Sequence, residues 1–223
     1  MRIVHLIGWL LVAAAVLLGV SIVARNWRPA AEDFPVQGID VSAATGAIDW
    51  ALARADGVDF GYALASDGAD WRDAAFADHW AAMRDAGVRR GAILRYSLCA
   101  PPQDQADRFV ATVPRAEDAL PVAIDLTLHP DCTARPAVRE VIAGLVALIA
   151  TVERHSGKPV LLRIGSGFEA AYRPSASIPR NVWAVRRFFA PGYLAQPWRI
   201  WQASDQARVD GVEKRVNWNV VAR

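Results

Sequence analysis

The sequence predicts an α/β protein: a closed barrel of eight strands, with helices mainly between the first five and an N-terminal transmembrane helix ahead of it. Three observations carry this expectation. Eight short apolar runs recur along the chain, the early gaps between them show helical periodicity, and Ile3 to Ala24 form an almost unbroken apolar stretch. Strands that alternate with helices imply parallel pairing, with the helices packed outside.

The N-terminal stretch "IVHLIGWLLVAAAVLLGVSIVA" has His5 as its only ionisable side chain and, at 22 residues, is long enough to span a bilayer as a helix. It exceeds a typical signal-peptide core, and Ile22 stands where a cleavage site before Arg25 would want a small residue. An uncleaved anchor over residues 1–25 is therefore expected, with the membrane contacted through residues 3–24 and the barrel outside the cytoplasm. Cleavage would instead make the domain secreted. Arg2 on one side and Arg25 and Arg28 on the other leave the span without a charge-set orientation. The polar, proline-bounded "RNWRPAAEDFP" reads as a linker over 26–35. The barrel is assigned to 36–223.

Strands are expected to begin near Val36, Val58, Gly91, Leu120, Pro159, Asn181, Trp198 and Arg215. Helices fill the first four gaps. The second carries Phe76, Trp80, Met83 and Gly87 at helical spacing. The fourth, Ala134 to His155, has one apolar stripe of Val138, Val141, Ile142, Leu145, Leu148, Ile149 and Val152. "SGKP" ends it and starts the next strand. Beyond the fifth strand the gaps are too short or too proline-rich for long helices.

Composition narrows the function. A formal net charge of +2 gives no reason to invoke nucleic acid. There is no CxxC, no HExxH and no Cys/His cluster with zinc spacing, so neither a metal nor a cofactor is expected. Cys99 and Cys132 are the only cysteines; in an exported domain they read as a disulfide, or else as two small buried residues. "GSG" at 165–167 lacks the rest of a phosphate loop and reads as a turn.

In TIM-like barrels the site forms at the C-terminal ends of the strands. That rule selects Asp40, Tyr62, Asp67, Arg95, Tyr96, Asp125, Thr127, Arg163, Arg186, Gln202 and Asn217. Strand alternation puts Asp125, Thr127 and His129 on one face of "PVAIDLTLHPDC".

Nine phrases follow one another between Val36 and Val221: "GIDVSAATGAIDW", "VDFGYALASDG", "FADHWAAMRDAGVRRGAI", "QADRF", "LPVAIDL", "HSGKPVLL", "VWAV", "WRIWQAS" and "VNWNV". In this order they resemble the family 25 glycoside hydrolases, lysozymes that cut peptidoglycan between N-acetylmuramic acid and N-acetylglucosamine. The resemblance implies an eight-stranded barrel with helices mainly in the first five units. The first-strand aspartate is kept as Asp40 and the fourth-strand aspartate as Asp125. The departures are as specific. The family's fourth strand ends in Asp-x-Glu, the glutamate being the proton donor, and that glutamate is Thr127 here. The last-strand aspartate is Asn217, and the Thr-Glu-Gly turn is Ser66-Asp67-Gly68. The His-x-Gln after the first strand is Ala43-Ala44-Thr45, and the Tyr-His-Phe phrase is Ile93-Leu94-Arg95.

Glycoside cleavage needs an acid for the leaving oxygen and a negative group for the oxocarbenium-like state. The resemblance implies attack by the substrate's own N-acetyl oxygen, oriented by an aspartate, a role open to Asp125. Thr127 cannot serve as the acid, because an alcohol proton is far too weakly acidic. His129, with an ordinary imidazole pKa of about 6.5, reads either as a surrogate acid or as a loop residue before Pro130. Asp67 reads as a second surrogate or as a ligand acceptor, and Asp40 as a catalytic-site group that holds the site together or, if buried among apolar walls, acts as the acid. Arg95, Arg163 and Arg186 either grip an anionic ligand such as a lactyl or peptide-stem carboxylate, or pair with Asp40, Asp67 and Asp125 or face solvent. Trp50 and Trp80 are expected in the core, and Trp183, Trp201 and Trp218 are as readily buried as bound to sugar.

The expected function is recognition of peptidoglycan or its muropeptide fragments with impaired hydrolysis. A muramidase with a surrogate acid in His129 or Asp67 is the alternative, and an envelope scaffold with a vestigial cleft a remoter one.

Overall fold

A computed structural model describes residues 9–10, 12–19 and 27–223. The predicted span over residues 3–24 lies in large part outside the described residues. Residues 9–10 and 12–19 are helical and exposed, and among the described residues no helix is long and apolar enough to cross a membrane.

Eight strands close a barrel. In chain order the elements are β1 (Gln37–Val41), α1 (Trp50–Ala55), β2 (Phe60–Asp67), β3 (Trp71–Arg72), α2 (Phe76–Asp85), β4 (Arg89–Arg95), α3 (Pro102–Thr112) and β5 (Ala123–Leu126). Then follow α4 (Val138–Ser156), β6 (Leu161–Gly165), α5 (Ser166–Tyr172), α6 (Pro174–Ser177), β7 (Asn181–Val185), β8 (Trp198–Ala207) and β9 (Val216–Val221). The sheet runs β1-β9-β8-β7-β6-β5-β4-β2-β3, and β1 pairs with β2 to close it. β3 lies outside the closed ring as a two-residue hairpin arm on β2.

Two features depart from the all-parallel expectation. β3 is a strand that the sequence reading did not include. β9 runs antiparallel to both β1 and β8, so its N-terminal end reaches the rim where the parallel strands have their C-termini. The long helix begins at Val138 rather than Ala134, because Pro136 leads into an extended Ala137. Its end is as read: Gly157 takes the left-handed conformation, with φ 72°, that closes a helix. "GSG" forms the start of α5.

The interior of the barrel is filled from below by Phe60, Tyr62, Leu64, Ile93, Leu161, Trp183 and Ile200. A Cβ at Gly91 would fall 2.2 Å from the Tyr62 ring, so glycine there makes room for that ring. The larger outer core packs α1 to α5 against the strands. Trp50 and Trp80 belong to it, and Trp183, Trp201 and Trp218 are all buried.

Among the described residues the β7–β8–β9 side has no long helix, and the segment expected as a linker covers part of it. Residues 27–35 form a strap against the barrel wall. Trp27 packs on Trp201 with centroids 6.2 Å apart, Phe34 lies on Trp198 and Trp201, and Arg28 sits over the Trp218 ring at 4.1 Å while reaching Asp56. Gln37 ties the strap down by donating to the Pro29 and Phe34 carbonyls and accepting from Trp218. Residue 26 lies outside the described residues.

Candidate functional site

Two depressions sit at the rim formed by the C-terminal ends of the parallel strands. The inner one, of about 180 Å³, is lined by Asp40, Ser42, Thr45, Arg95, Asp125, Arg163, Arg215 and Asn217. The outer one, of about 110 Å³, is lined by Asp67, Tyr96, Cys99, Thr127, His129, Asp131 and Cys132. Between them stands an ion pair, Arg95 Nη1 to Asp67 Oδ2 at 2.8 Å.

A single hydrogen-bonded chain forms the floor of the inner depression. Arg163 Nη1 donates to Asp125 Oδ2 at 2.5 Å, and Nη2 donates to Gln202. Gln202 donates to Asn217 Oδ1 at 3.2 Å, and Asn217 donates to Asp40 Oδ1 at 2.7 Å. Asp40 Oδ2 accepts from Asn219 at 2.9 Å, whose own oxygen accepts from Trp183 Nε1 at 3.1 Å. Strand register explains the grouping: Asp40 lies opposite Asn217, and Asp125 opposite Arg163. Burial works against the Arg163 charge, yet the Asp125 and Asp40 carboxylates outweigh it and raise its pKa above the ordinary guanidinium value. Asp125 Oδ1 and Arg163 Nε are buried without a hydrogen-bond partner among the described residues.

The outer depression is made from loops. β5 stops at Leu126, so Thr127 and His129 lie beyond the strand rather than on its face. Their side chains meet each other, Thr127 Oγ1 to His129 Nε2 at 2.8 Å. A disulfide between Cys99 and Cys132 joins the loop after β4 to the loop after β5. Tyr96 backs the wall, and burial, then Tyr172, pushes its phenol up to about 12.

The structure therefore gathers Asp40, Arg95, Asp125, Arg163, Gln202 and Asn217 at the inner depression, and Asp67, Tyr96, Thr127 and His129 at the outer one. Two predicted residues are elsewhere. Tyr62 is buried inside the barrel with its hydroxyl donating to the Pro121 carbonyl, and burial holds its pKa above the usual phenol range. Arg186 is exposed on the loop after β7 and lines neither depression. Asn217 reaches the rim from the N-terminal end of an antiparallel strand, not from a C-terminal end.

Sequence reasoning missed Asn219, Arg215 and Trp71. Asn219 was legible from alternation in "VNWNV". Arg215 required knowing that β9 is reversed. Trp71 is half-exposed on β3 directly across from Asp67; residues opposed in an antiparallel pair project to the same side.

A family model, described as glycosyl hydrolases family 25, matches residues 39–212. The chain belongs to glycoside hydrolase family 25. Among similar proteins, the uncharacterized protein YegX of Escherichia coli K12 is 29% identical over 196 residues, 84% of this chain and 70% of YegX. Lysozyme M1 of Streptomyces globisporus is 32% identical over 102 residues, 43% of this chain and 34% of that protein. A solved family 25 glycosyl hydrolase from Bacillus anthracis superposes with a TM-score of 0.76 at 26% identity, covering 84% of this chain and 89% of that one. A bacterial lysozyme from Streptomyces coelicolor shares the fold, with a TM-score of 0.74 at 23% identity and coverages of 83% and 91%. The barrel is thus the lysozyme-like barrel of family 25.

Proposed function

We propose that this family 25 chain is a peptidoglycan-binding module, held at the membrane through residues 3–24 with the barrel outside the cytoplasm, in which hydrolysis is impaired. The observation that carries the reading is that the two aspartates at the inner depression are held as acceptors by fixed donors. Guanidinium and amide N–H groups can only donate. Asp40 therefore accepts at both oxygens and Asp125 accepts at Oδ2. The residue in the donor's place, Thr127, holds an alcohol. General acid catalysis typically contributes ~10² to 10⁴-fold, so its loss leaves a site that binds better than it cuts.

Binding has material to work with. Asp125 Oδ1 and Arg163 Nε are buried and, among the described residues, unpartnered at the floor of the inner depression, and Trp71 supplies an exposed ring beside Asp67 for a sugar face. The membrane part of the reading is supported by the 22-residue apolar run.

The test incubates the protein with purified peptidoglycan from acidic to neutral pH and analyses the soluble fraction by mass spectrometry. Saturable co-sedimentation without new reducing muramic ends is expected, weakened in Asp125→Ala and Trp71→Ala. Muropeptides that vanish in Asp125→Asn would overturn the impaired reading. The 2.8 Å contact between Thr127 and His129 favours one specific second reading, a muramidase with His129 as acid. Cleavage lost in His129→Ala would establish it.

A further inference from the structure

We propose that the loop after β7, Arg186-Arg187-Phe188-Phe189, docks on the headgroup region of an anionic lipid bilayer and fixes the orientation of the barrel. The proposal rests on reading residues 3–24 as a membrane anchor. It starts from two adjacent aromatic side chains left in solvent: Phe189 is 69% exposed and Phe188 39%. Phe188 also has φ 67°, a left-handed conformation that bulky residues rarely adopt. Its N–H donates to the Ala203 carbonyl at 2.9 Å, and its ring is tilted against Trp27 with centroids 5.6 Å apart.

Trp27 is what links this loop to a membrane. It follows Ala24, the last residue of the apolar run, by three positions. Three residues span at most about 10 Å, so a membrane anchor over residues 3–24 keeps Trp27, and Phe188 with it, close to the bilayer surface. Tryptophan itself favours that depth. The strap cannot swivel freely, because Trp27 is held on Trp201 and Arg28 on Trp218 and Asp56. One edge of the barrel must then face the membrane, and it is the edge that exposes Phe189.

Charge selects the lipid. Arg186 and Arg187 precede the phenylalanines and are exposed. The Arg187 guanidinium pairs with Asp205 at 3.3 Å, a solvent-exposed pair that an anionic headgroup can replace. Exposed aromatic rings next to arginines match the apolar-plus-basic pattern of surfaces that rest on anionic bilayers.

The experiment uses the full chain reconstituted into vesicles of phosphatidylglycerol and phosphatidylethanolamine. Phe189→Cys carries an environment-sensitive fluorophore; Cys99 and Cys132 are bonded to each other, which leaves the new thiol as the labelling site. Val146→Cys, exposed on α4 on the helix-clad side, is the control. Quenching by bromolipids at position 189 but not at 146, reduced several-fold by Arg186→Glu with Arg187→Glu, is the expected result. Equal quenching at both positions, or none at 189 in protein that floats with the vesicles, would overturn the docking while leaving the anchor intact. Protein that fails to float refutes the anchor and the docking together. A signal at 189 that follows protein density rather than bromolipid would assign the patch to a second copy of the chain and likewise overturn the proposal.

Discussion

The inner and outer depressions lie side by side but are built differently. The inner one is made of strand side chains whose register is set by backbone pairing, and its polar groups are cross-linked from Asp125 through Arg163, Gln202 and Asn217 to Asp40. The outer one is made of loop residues, Thr127 and His129, held by each other and by the Cys99–Cys132 bond. On the proposed reading the comparison separates two losses: in the inner depression Asp40 and Asp125 are occupied by fixed donors, and in the outer one Thr127 stands where an acid is expected.

The largest expected effect tests which loss dominates. Thr127→Glu should restore cleavage of peptidoglycan by roughly 10² to 10⁴-fold over the parent chain, read as new reducing ends. A variant that folds, binds and still does not cut would move the block to the Arg163–Asp125 pair. Arg163→Leu comes next. It strands Asp125 in a buried position, and the expected loss is about 3–5 kcal/mol in denaturant unfolding, with Asp125→Asn in the same chain recovering part of it. If the double variant is no more stable than the single one, the floor network is not the coupled unit described here.

The outer depression should respond to its covalent closure. Replacing Cys99 and Cys132 together by serine should cost about 2–4 kcal/mol and weaken glycan co-sedimentation. Unchanged binding would show that the loops hold their shape through the Thr127–His129 contact alone. The smallest effect belongs to the divide between them. Asp67 and Arg95 are each about one-third exposed at the side chain, so Asp67→Asn should cost under about 1 kcal/mol of stability. A binding change much larger than the stability change would make Asp67 a ligand contact rather than a partition.

Much of this was legible without coordinates. Hydrophobic periodicity located all eight barrel strands and the helices of the first four gaps, because burial on two faces of a strand or one face of a helix writes directly into residue order. The same alternation placed Asp40, Asp125 and Arg163 at the rim. Pairing was not legible. Whether Arg163 grips a ligand or a neighbouring aspartate depends on which strands adjoin, and sequence order does not encode adjacency. Tyr62 failed as a site residue because its ring, accommodated by Gly91, fills the barrel below the rim. Trp71 was overlooked because two residues are too few to show a strand's period.

By itself the sequence determined the α/β barrel and the family, both properties of local pattern or residue identity. Tertiary structure alone decided that β9 is reversed, which brings Asn217, Asn219 and Arg215 to the site. It alone decided that Asp125 and Asp40 are held by internal donors. It also decided that residues 27–35 are a packed strap rather than a tether, since Trp27, Arg28 and Phe34 find their partners more than 160 positions away on β8 and β9. Contacts at that separation are set by how the barrel closes, which no local stretch of chain contains.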